Sequence, residues 1–185
     1  MEISQAMNDI DAVLSNKPIS PSREMAAYEA LWAHQKATFK TIADCFRDSP
    51  NAMPSELVSE EEIDTALQRV QDQIAHTKIH DFGVRLHGAE DYPDRLRDAA
   101  HPVELLYYRG WWDLIDSPKR IAIVGSRSVS DDGLRRTRKL VKLLVQDGYT
   151  IVSGLAKGVD TAAHTTAIDN GGSTIAVIGT PLTEY

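Results

Sequence analysis

The sequence has only one cysteine among its 185 residues, so a disulfide framework and a zinc site built from cysteines are both excluded. Cys45 lies beside Phe46 in an apolar helical pattern, and we expect its thiol to be buried in the core. The chain also lacks an apolar run of about 18 residues and a basic N-terminal region, which a membrane span or a signal peptide would require. These absences predict a cytoplasmic protein that does not bind membranes.

An excess of positive charge is missing as well, since the formal net charge is -7. This value by itself argues against nucleic-acid binding, but the charges are unevenly distributed. Residues 1–100 carry 10 basic and 18 acidic side chains, whereas residues 119–157 carry 9 basic and 3 acidic ones. A positive face on an acidic protein still binds phosphate chains, with a strong dependence on salt. The alternative interpretation is that the basic stripe is a solvated helix face.

The dinucleotide fingerprint G-x-G-x-x-G and the P-loop motif are absent, so the sequence gives little support to an NAD or ATP site. Two consecutive β-α-β units are present instead. Short apolar, β-branched runs at Ile121–Val124, Thr150–Val152 and Thr174–Ile178 predict strands of a parallel sheet. The sequence therefore predicts an α/β fold.

The two helices between these strands carry signals for their ends. Ser130, which precedes two aspartates, predicts the start of the first helix, and Gly148 predicts its end. The Lys157-Gly158 pair leads into the second helix, which is expected to end at Asn170-Gly171-Gly172. The apolar face of the first helix is predicted to comprise Leu134, Thr137, Leu140, Val141 and Leu144.

The turns after the first two strands combine glycines, helix N-termini and basic side chains. Because the carboxyl ends of parallel strands meet at one edge of a sheet, we expect both turns to face one anion site, most simply for phosphate. Short βα turns also favour Gly and Ser for purely structural reasons, and that alternative stays open. The predicted DNA- or phosphate-binding residues are Gly125, Ser126, Arg127, Ser153, Gly154, Lys157 and Gly158. Candidate additional DNA contacts on the first helix are Arg135, Arg138 and Lys139.

The strings IAIVGSR, VSGLAKGVDTAAH and GGSTIAVIGTPLTEY, preceded by YPDRL and PVELLYYRG, resemble the DNA-processing protein A (DprA or Smf) family. The resemblance covers about Asp91 to Tyr185. It implies a Rossmann-like domain that binds single-stranded DNA and helps to load a recombinase, without catalysis, cofactor or metal. It further implies that Arg127 contacts a DNA phosphate and that a homodimer is a candidate assembly.

The sequence departs from this family in three places. His101 stands where a second proline is usual, and Gly179-Thr180-Pro181 replaces a common G-x-G turn. The chain stops at Tyr185, where the family continues, so we expect a fragment, a truncated form or a degenerate copy with an incomplete sheet.

The N-terminal half is predicted to be helical. Apolar residues recur at helical spacing over Ser22–Phe46, with a break at His34-Gln35-Lys36. Ser59 and Glu62 form a capping-box pattern that begins a helix running to about His76. The resembled family usually has a sterile-alpha-motif-type domain here, but its glycine hairpin is absent. We expect a helical region over residues 1–80, a connector over 81–118 and the first half of the Rossmann-like domain over 119–185.

A function of another class stays open, namely a nucleotide-binding or nucleotide-processing protein of the same superfamily, such as a phosphoribohydrolase. The motif of those enzymes would fall beyond Tyr185, so its absence decides nothing. His164 lies four residues after Asp160 and is expected to pair locally with it, with a catalytic role as the alternative. Trp111 and Trp112 are expected to pack against the protein, with stacking on bases as the alternative. Surface or packing roles, and no metal, are predicted for His76, His80 and His87.

Overall fold

The computed structural model describes residues 19–50, 52–77, 79, 81–97, 99 and 103–180. The chain divides into two compact units, Met1–Tyr107 and Tyr108–Tyr185. The three-segment division expected from the sequence stays a prediction. His80 and Pro181 lie outside the described residues.

The first unit is built mainly from helices and a small sheet. Its elements are α1 (Pro21–Ala33), α2 (Phe39–Asp48), a 3₁₀ turn (Pro54–Glu56), α3 (Glu60–His76), β1 (Gly83–Leu86), α4 (Asp94–Arg97) and β2 (Leu105–Tyr108). The strands β1 and β2 pair with each other. Alanines on α1 pack against Ile63 and Ala66 of α3, and the small side chains allow the two helices to lie close together. A second cluster contains Met25, Tyr28, Leu31, Ile42, Phe46, Val70, Leu86 and Leu105.

The helix boundaries in this unit agree with the sequence signals. Helix α1 ends at Ala33, where a break was predicted, and Lys36 in the following turn has φ +72°. At the start of α3, Ser59 Oγ accepts a hydrogen bond from the Glu62 N–H, and the Glu62 carboxylate accepts one from the Ser59 N–H. Hydrogen bonds from Ser59 lower the pKa of Glu62 to about 2. The predicted capping box is therefore confirmed.

The second unit is a β-α-β-α-β arrangement. It contains a 3₁₀ segment (Trp112–Asp116), β3 (Arg120–Ala122), α5 (Asp131–Gln146), β4 (Thr150–Ser153), α6 (Val159–Asp169) and β5 (Thr174–Ala176). The sheet is parallel with strand order β3-β4-β5, and Ile121 pairs with Ile151 while Val152 pairs with Ile175. This confirms the predicted α/β fold.

Both helices of the second unit pack on the same face of the sheet. They contact each other and β4, as expected when two right-handed crossovers step in the same direction. The core between the helices and the sheet contains Val141, Ile151, Ala163 and Ala167. Val124 and Val177 are exposed among the described residues.

The helix ends of the second unit were predicted correctly. Ser130 caps α5 by accepting a hydrogen bond from the Gly133 N–H, and Gly148 follows the helix with φ +78°. Gly158 is the N-cap of α6, and Gly171 follows that helix with φ +70°.

Several expectations were wrong in detail. The strands β3 and β5 end two residues earlier than predicted, at Ala122 and Ala176, although the N–H groups of Ile123 and Val177 still donate to the Val152 and Ser153 carbonyls of β4. Cys45 is exposed, since Ile42 and Phe46 form the buried side of α2. Leu140 is also exposed, because it lies at the margin of the apolar face of α5. Trp111 is 84% exposed and does not pack as expected, whereas the ring of Trp112 lies 4.6 Å from that of Tyr108.

No helix in the described part of the chain is both long and apolar enough to cross a membrane. Among the same residues, no group of histidine, cysteine, aspartate and glutamate side chains is arranged to hold a metal ion.

Candidate phosphate-binding site

The turn after β3 and the loop after β4 meet at the carboxyl edge of the sheet. The Val159 N–H donates a hydrogen bond to the Ser126 carbonyl at 3.2 Å. At Gly158, φ is +85°, and a Cβ atom there would lie 2.3 Å from the Ser126 oxygen and 2.8 Å from the Arg127 oxygen. The two backbones are therefore in direct contact, and only glycine allows this approach. We call the space bordered by residues 125–127 and 154–158 the two-turn crevice.

Gly125 allows a second close approach. A Cβ atom at Gly125 would lie 2.7 Å from Cγ2 of Val159, the first residue of α6. The N-terminus of α6 thus sits against the end of the first strand. The Val159 and Thr161 N–H groups already donate to the Ser126 and Ala156 carbonyls, so the attraction that this helix end offers an anion comes from the helix dipole.

Three of the predicted ligands have polar groups that are engaged within the protein. The Ser126 hydroxyl donates to the Ser128 carbonyl at 2.6 Å and accepts from the Ser128 N–H at 3.1 Å. Ser153 is buried, and its hydroxyl donates to the Ile123 carbonyl at 2.6 Å. The Gly154 N–H donates to the Asp160 carboxylate at 3.2 Å. In this conformation these groups shape the crevice, and its donors come from other residues.

The groups that remain available lie on both sides of the crevice. Arg127 and Lys157 are exposed, and no described residue pairs with either side chain. Within the described ranges, the backbone N–H groups of Leu155, Ala156 and Lys157 also have no protein acceptor. Leu155 has φ +60°, an uncommon conformation for a residue with a side chain. A run of N–H donors beside two cations is suited to bind a phosphate group.

Asp160 supports the loop by accepting a hydrogen bond from the Gly154 N–H, a role that sequence reasoning missed, and His164 lies one turn farther along α6. Both residues are buried. The Thr174 hydroxyl donates to the Ile151 carbonyl at 2.9 Å, so it must accept from His164 Nδ1, which lies 2.6 Å away. This bond assigns the proton of the neutral ring to Nδ1. The signal in the sequence for the role of Asp160 was an acidic residue in the first turn of a helix that follows a glycine-containing loop.

The other nitrogen of His164 is buried without a partner among the described residues. Burial lowers the pKa of His164, and the Asp160 carboxylate opposes this shift by favouring the charged ring. The predicted pair of Asp160 and His164 is thus an electrostatic interaction. Asp160 holds the loop through the Gly154 N–H, whereas His164 joins α6 to the start of β5 through Thr174.

The predicted contacts on α5 lie farther along that helix. Arg135 and Arg136 both pair with Asp132, the latter with a distance of 2.7 Å between Nε and Oδ2. Arg138 and Lys139 instead line a groove between α5 and α6. The structure therefore does not bring these three predicted residues into the two-turn crevice.

Residues 83–185 match the sequence profile of the DNA recombination-mediator protein A family. The chain belongs to this family. Over 91 residues it is 50% identical to the DNA processing protein DprA of Streptococcus pneumoniae, covering 49% of this chain and 32% of that protein. Over 95 residues it is 46% identical to the protein Smf of Synechocystis, covering 50% and 24% of the two chains. Each match thus spans a third or less of the relative.

The fold is also similar to a solved member of the family. The X-ray structure of DprA from Streptococcus pneumoniae matches with a TM-score of 0.59 and 28% identity, over 90% of this chain and 60% of that one. Because the match covers 90% of this chain, it extends beyond residues 83–185 into the first unit. The family resemblance and the Rossmann-like fold expected from the sequence are both confirmed.

Proposed function

We propose that this chain binds single-stranded DNA by holding its phosphates in the two-turn crevice. The observation that supports the proposal is the direct contact at Gly158 between the backbones of the two turns, the segments that carry the exposed Arg127 and Lys157. Two cations and free N–H groups neutralise phosphate without reading bases. Because the chain belongs to a DNA-processing family, DNA is the polyanion that we propose it binds.

We further propose that the chain is an adaptor without catalytic activity that helps to load a recombinase onto DNA. It is proposed to act in the cytoplasm and to assemble as a homodimer. The description of the family as recombination mediators supports a role beside a recombinase. Two ionisable groups, Asp160 and His164, are buried and engaged with Gly154 and Thr174. They are therefore poorly placed for acid–base catalysis on a bound phosphate.

The proposal is tested by replacing Arg127 and measuring fluorescence anisotropy with labelled oligo-dT over a range of salt concentrations. Arg127→Ala should weaken binding by about 1–3 kcal/mol, the range for a lost charge-assisted hydrogen bond. Arg127→Lys should recover only part of this, because an ammonium group cannot reproduce the planar fork of donors. The matched control is Arg95→Ala, which removes an exposed arginine of the first unit.

Affinity of the unaltered protein should fall steeply as salt rises, since phosphate contacts release counterions. Equal binding by the wild type and Arg127→Ala, with both folded by circular dichroism, would remove Arg127 from the site. Binding of a free nucleotide without binding of oligo-dT would favour the nucleotide-processing alternative.

A further inference from the structure

A second concentration of positive charge lies in the groove between α5 and α6. This groove has a volume of about 540 Å³ and is lined by Arg138, Lys139 and Lys142 on α5 and by Thr165, Thr166, Asp169 and Asn170 on α6. No described residue pairs with any of its three cations. On the same helix, Arg135 and Arg136 share the carboxylate of Asp132. The helix thus separates paired arginines near its start from unpaired cations farther along.

The opposite wall of the groove supplies polar groups that are already hydrogen-bonded. The Thr165 hydroxyl donates to the Thr161 carbonyl at 2.9 Å, and Asn170 Nδ2 donates to the Thr166 carbonyl at 2.8 Å. Asp169 is the one acid among the lining residues, against three cations. The groove is therefore a positive channel whose free donors are the long basic side chains, which suits a flexible polyanion rather than a small ligand held from all sides.

The two helices that form the groove begin at the two-turn crevice. Helix α5 starts after Ser130, three residues beyond Arg127, and α6 starts after Gly158. With a rise of about 1.5 Å per residue, Arg138 and Lys142 lie roughly 12 and 18 Å along α5 from Ser130. This separation can be bridged by a few nucleotides of an extended strand. A chain that leaves the crevice between the helix N-termini meets these cations next.

We propose that the α5–α6 groove, through Arg138, Lys139 and Lys142, binds the phosphates of a single-stranded DNA segment that extends from the two-turn crevice. The inference rests on the proposed function. It adds a second contact region that short strands do not reach.

The test compares oligo-dT of about three and about 25 nucleotides, lengths that fall below and above the roughly 4 to 16 nucleotides of a single-strand site. Its main variant is Lys139→Gln/Lys142→Gln, with Arg136→Gln as the matched control because that arginine is exposed but paired. For the long strand, the double variant should bind about 3- to 10-fold more weakly at low salt, and the slope of log K against log salt should fall by about 1.4. Arg136→Gln should have a smaller effect, and the short strand should bind both variants like the wild type.

Lys139→Arg/Lys142→Arg should restore long-strand binding, because phosphate neutralisation requires charge rather than lysine itself. Equal long-strand affinity for the double variant and Arg136→Gln would overturn the proposal, as would an equal loss for short and long strands. Loss of binding to polyglutamate with unchanged DNA binding would assign the groove to an acidic protein segment and also count against it. If the wild type binds neither strand, the proposed function fails. If Arg127→Ala weakens both strands and the double variant weakens neither, only the groove proposal fails.

Discussion

At Gly158 the backbone adopts φ +85° and ψ -121°, a combination that residues with a Cβ atom avoid. The neighbouring carbonyl oxygens of Ser126 and Arg127 also fill the space that a side chain would need. Conformation and close packing therefore impose glycine at the same position. This residue joins the two halves of the crevice, so its replacement should affect both stability and binding.

We expect Gly158→Ala to lower the free energy of unfolding by more than about 3 kcal/mol, since strain in the backbone and overlap with carbonyl oxygens add together. DNA affinity should fall with it, because the turns must separate. The matched control is Gly171→Ala at the other end of α6, where φ is +70° but the space beyond Cα is open. That change should cost only about 1 kcal/mol. Urea unfolding and anisotropy measure both effects, and equal costs for the two variants would contradict the account.

The roles of individual residues were predictable only in part. The residue types at Gly125, Arg127 and Lys157 indicated an anion site because glycines and cations follow two neighbouring strands at the starts of helices. Ser153 and Gly154 were expected to bind phosphate as well, yet both are engaged within the protein. Their partners, the Ile123 carbonyl and the Asp160 carboxylate, are brought near by the pairing of strands and by the path of the loop. A sequence pattern does not show how close Ser153 and Gly154 lie to these partners.

Helix ends were the most predictable elements, because the signals are local and each has a stereochemical cause. The capping box at Ser59 and the glycine after α5 both lie where the sequence placed them. Strand ends were less predictable. Apolar character continues through Val124 and Val177, but the strands end at Ala122 and Ala176 and both valine side chains are exposed, although the Val177 N–H still donates to the Ser153 carbonyl. Hydrophobicity alone does not indicate where neighbouring strands diverge.

The caps of α1 and α3 provide a matched test of this local control. Ser59→Ala removes a hydroxyl that accepts the Glu62 N–H and should lower the free energy of unfolding by about 1 kcal/mol. Ser20 occupies the same position at α1, but its side chain accepts no helix N–H, so Ser20→Ala should cost less. Thermal and urea unfolding of the two variants give the comparison. A larger loss for Ser20→Ala would show that the cap hydrogen bond is not what stabilises α3.

At the scale of the whole molecule, the two units carry opposite charge. Residues 1–107 contain 10 basic and 19 acidic side chains, a balance of -9, whereas residues 108–185 contain 10 basic and 8 acidic ones, a balance of +2. A DNA strand that approaches the basic unit therefore also experiences repulsion from the acidic one. Such long-range repulsion acts on the rate of association and is screened by salt.

The negative charge of the first unit predicts that replacing acidic residues outside the proposed site increases the association rate for DNA. Glu61 and Glu90 are exposed residues of the first unit. Glu61→Lys/Glu90→Lys should raise the association rate for oligo-dT about two- to threefold at low salt, and Glu61→Gln/Glu90→Gln should give about half of that change on a logarithmic scale. Dissociation rates should stay constant, because neither residue belongs to the crevice or the groove. Stopped-flow fluorescence at low and high salt measures the effect, and the rates of all three proteins should converge as the Debye length shortens. If the rate gain persists at high salt, the new lysines contact the strand directly. If there is no gain at low salt, the acidic unit does not oppose binding.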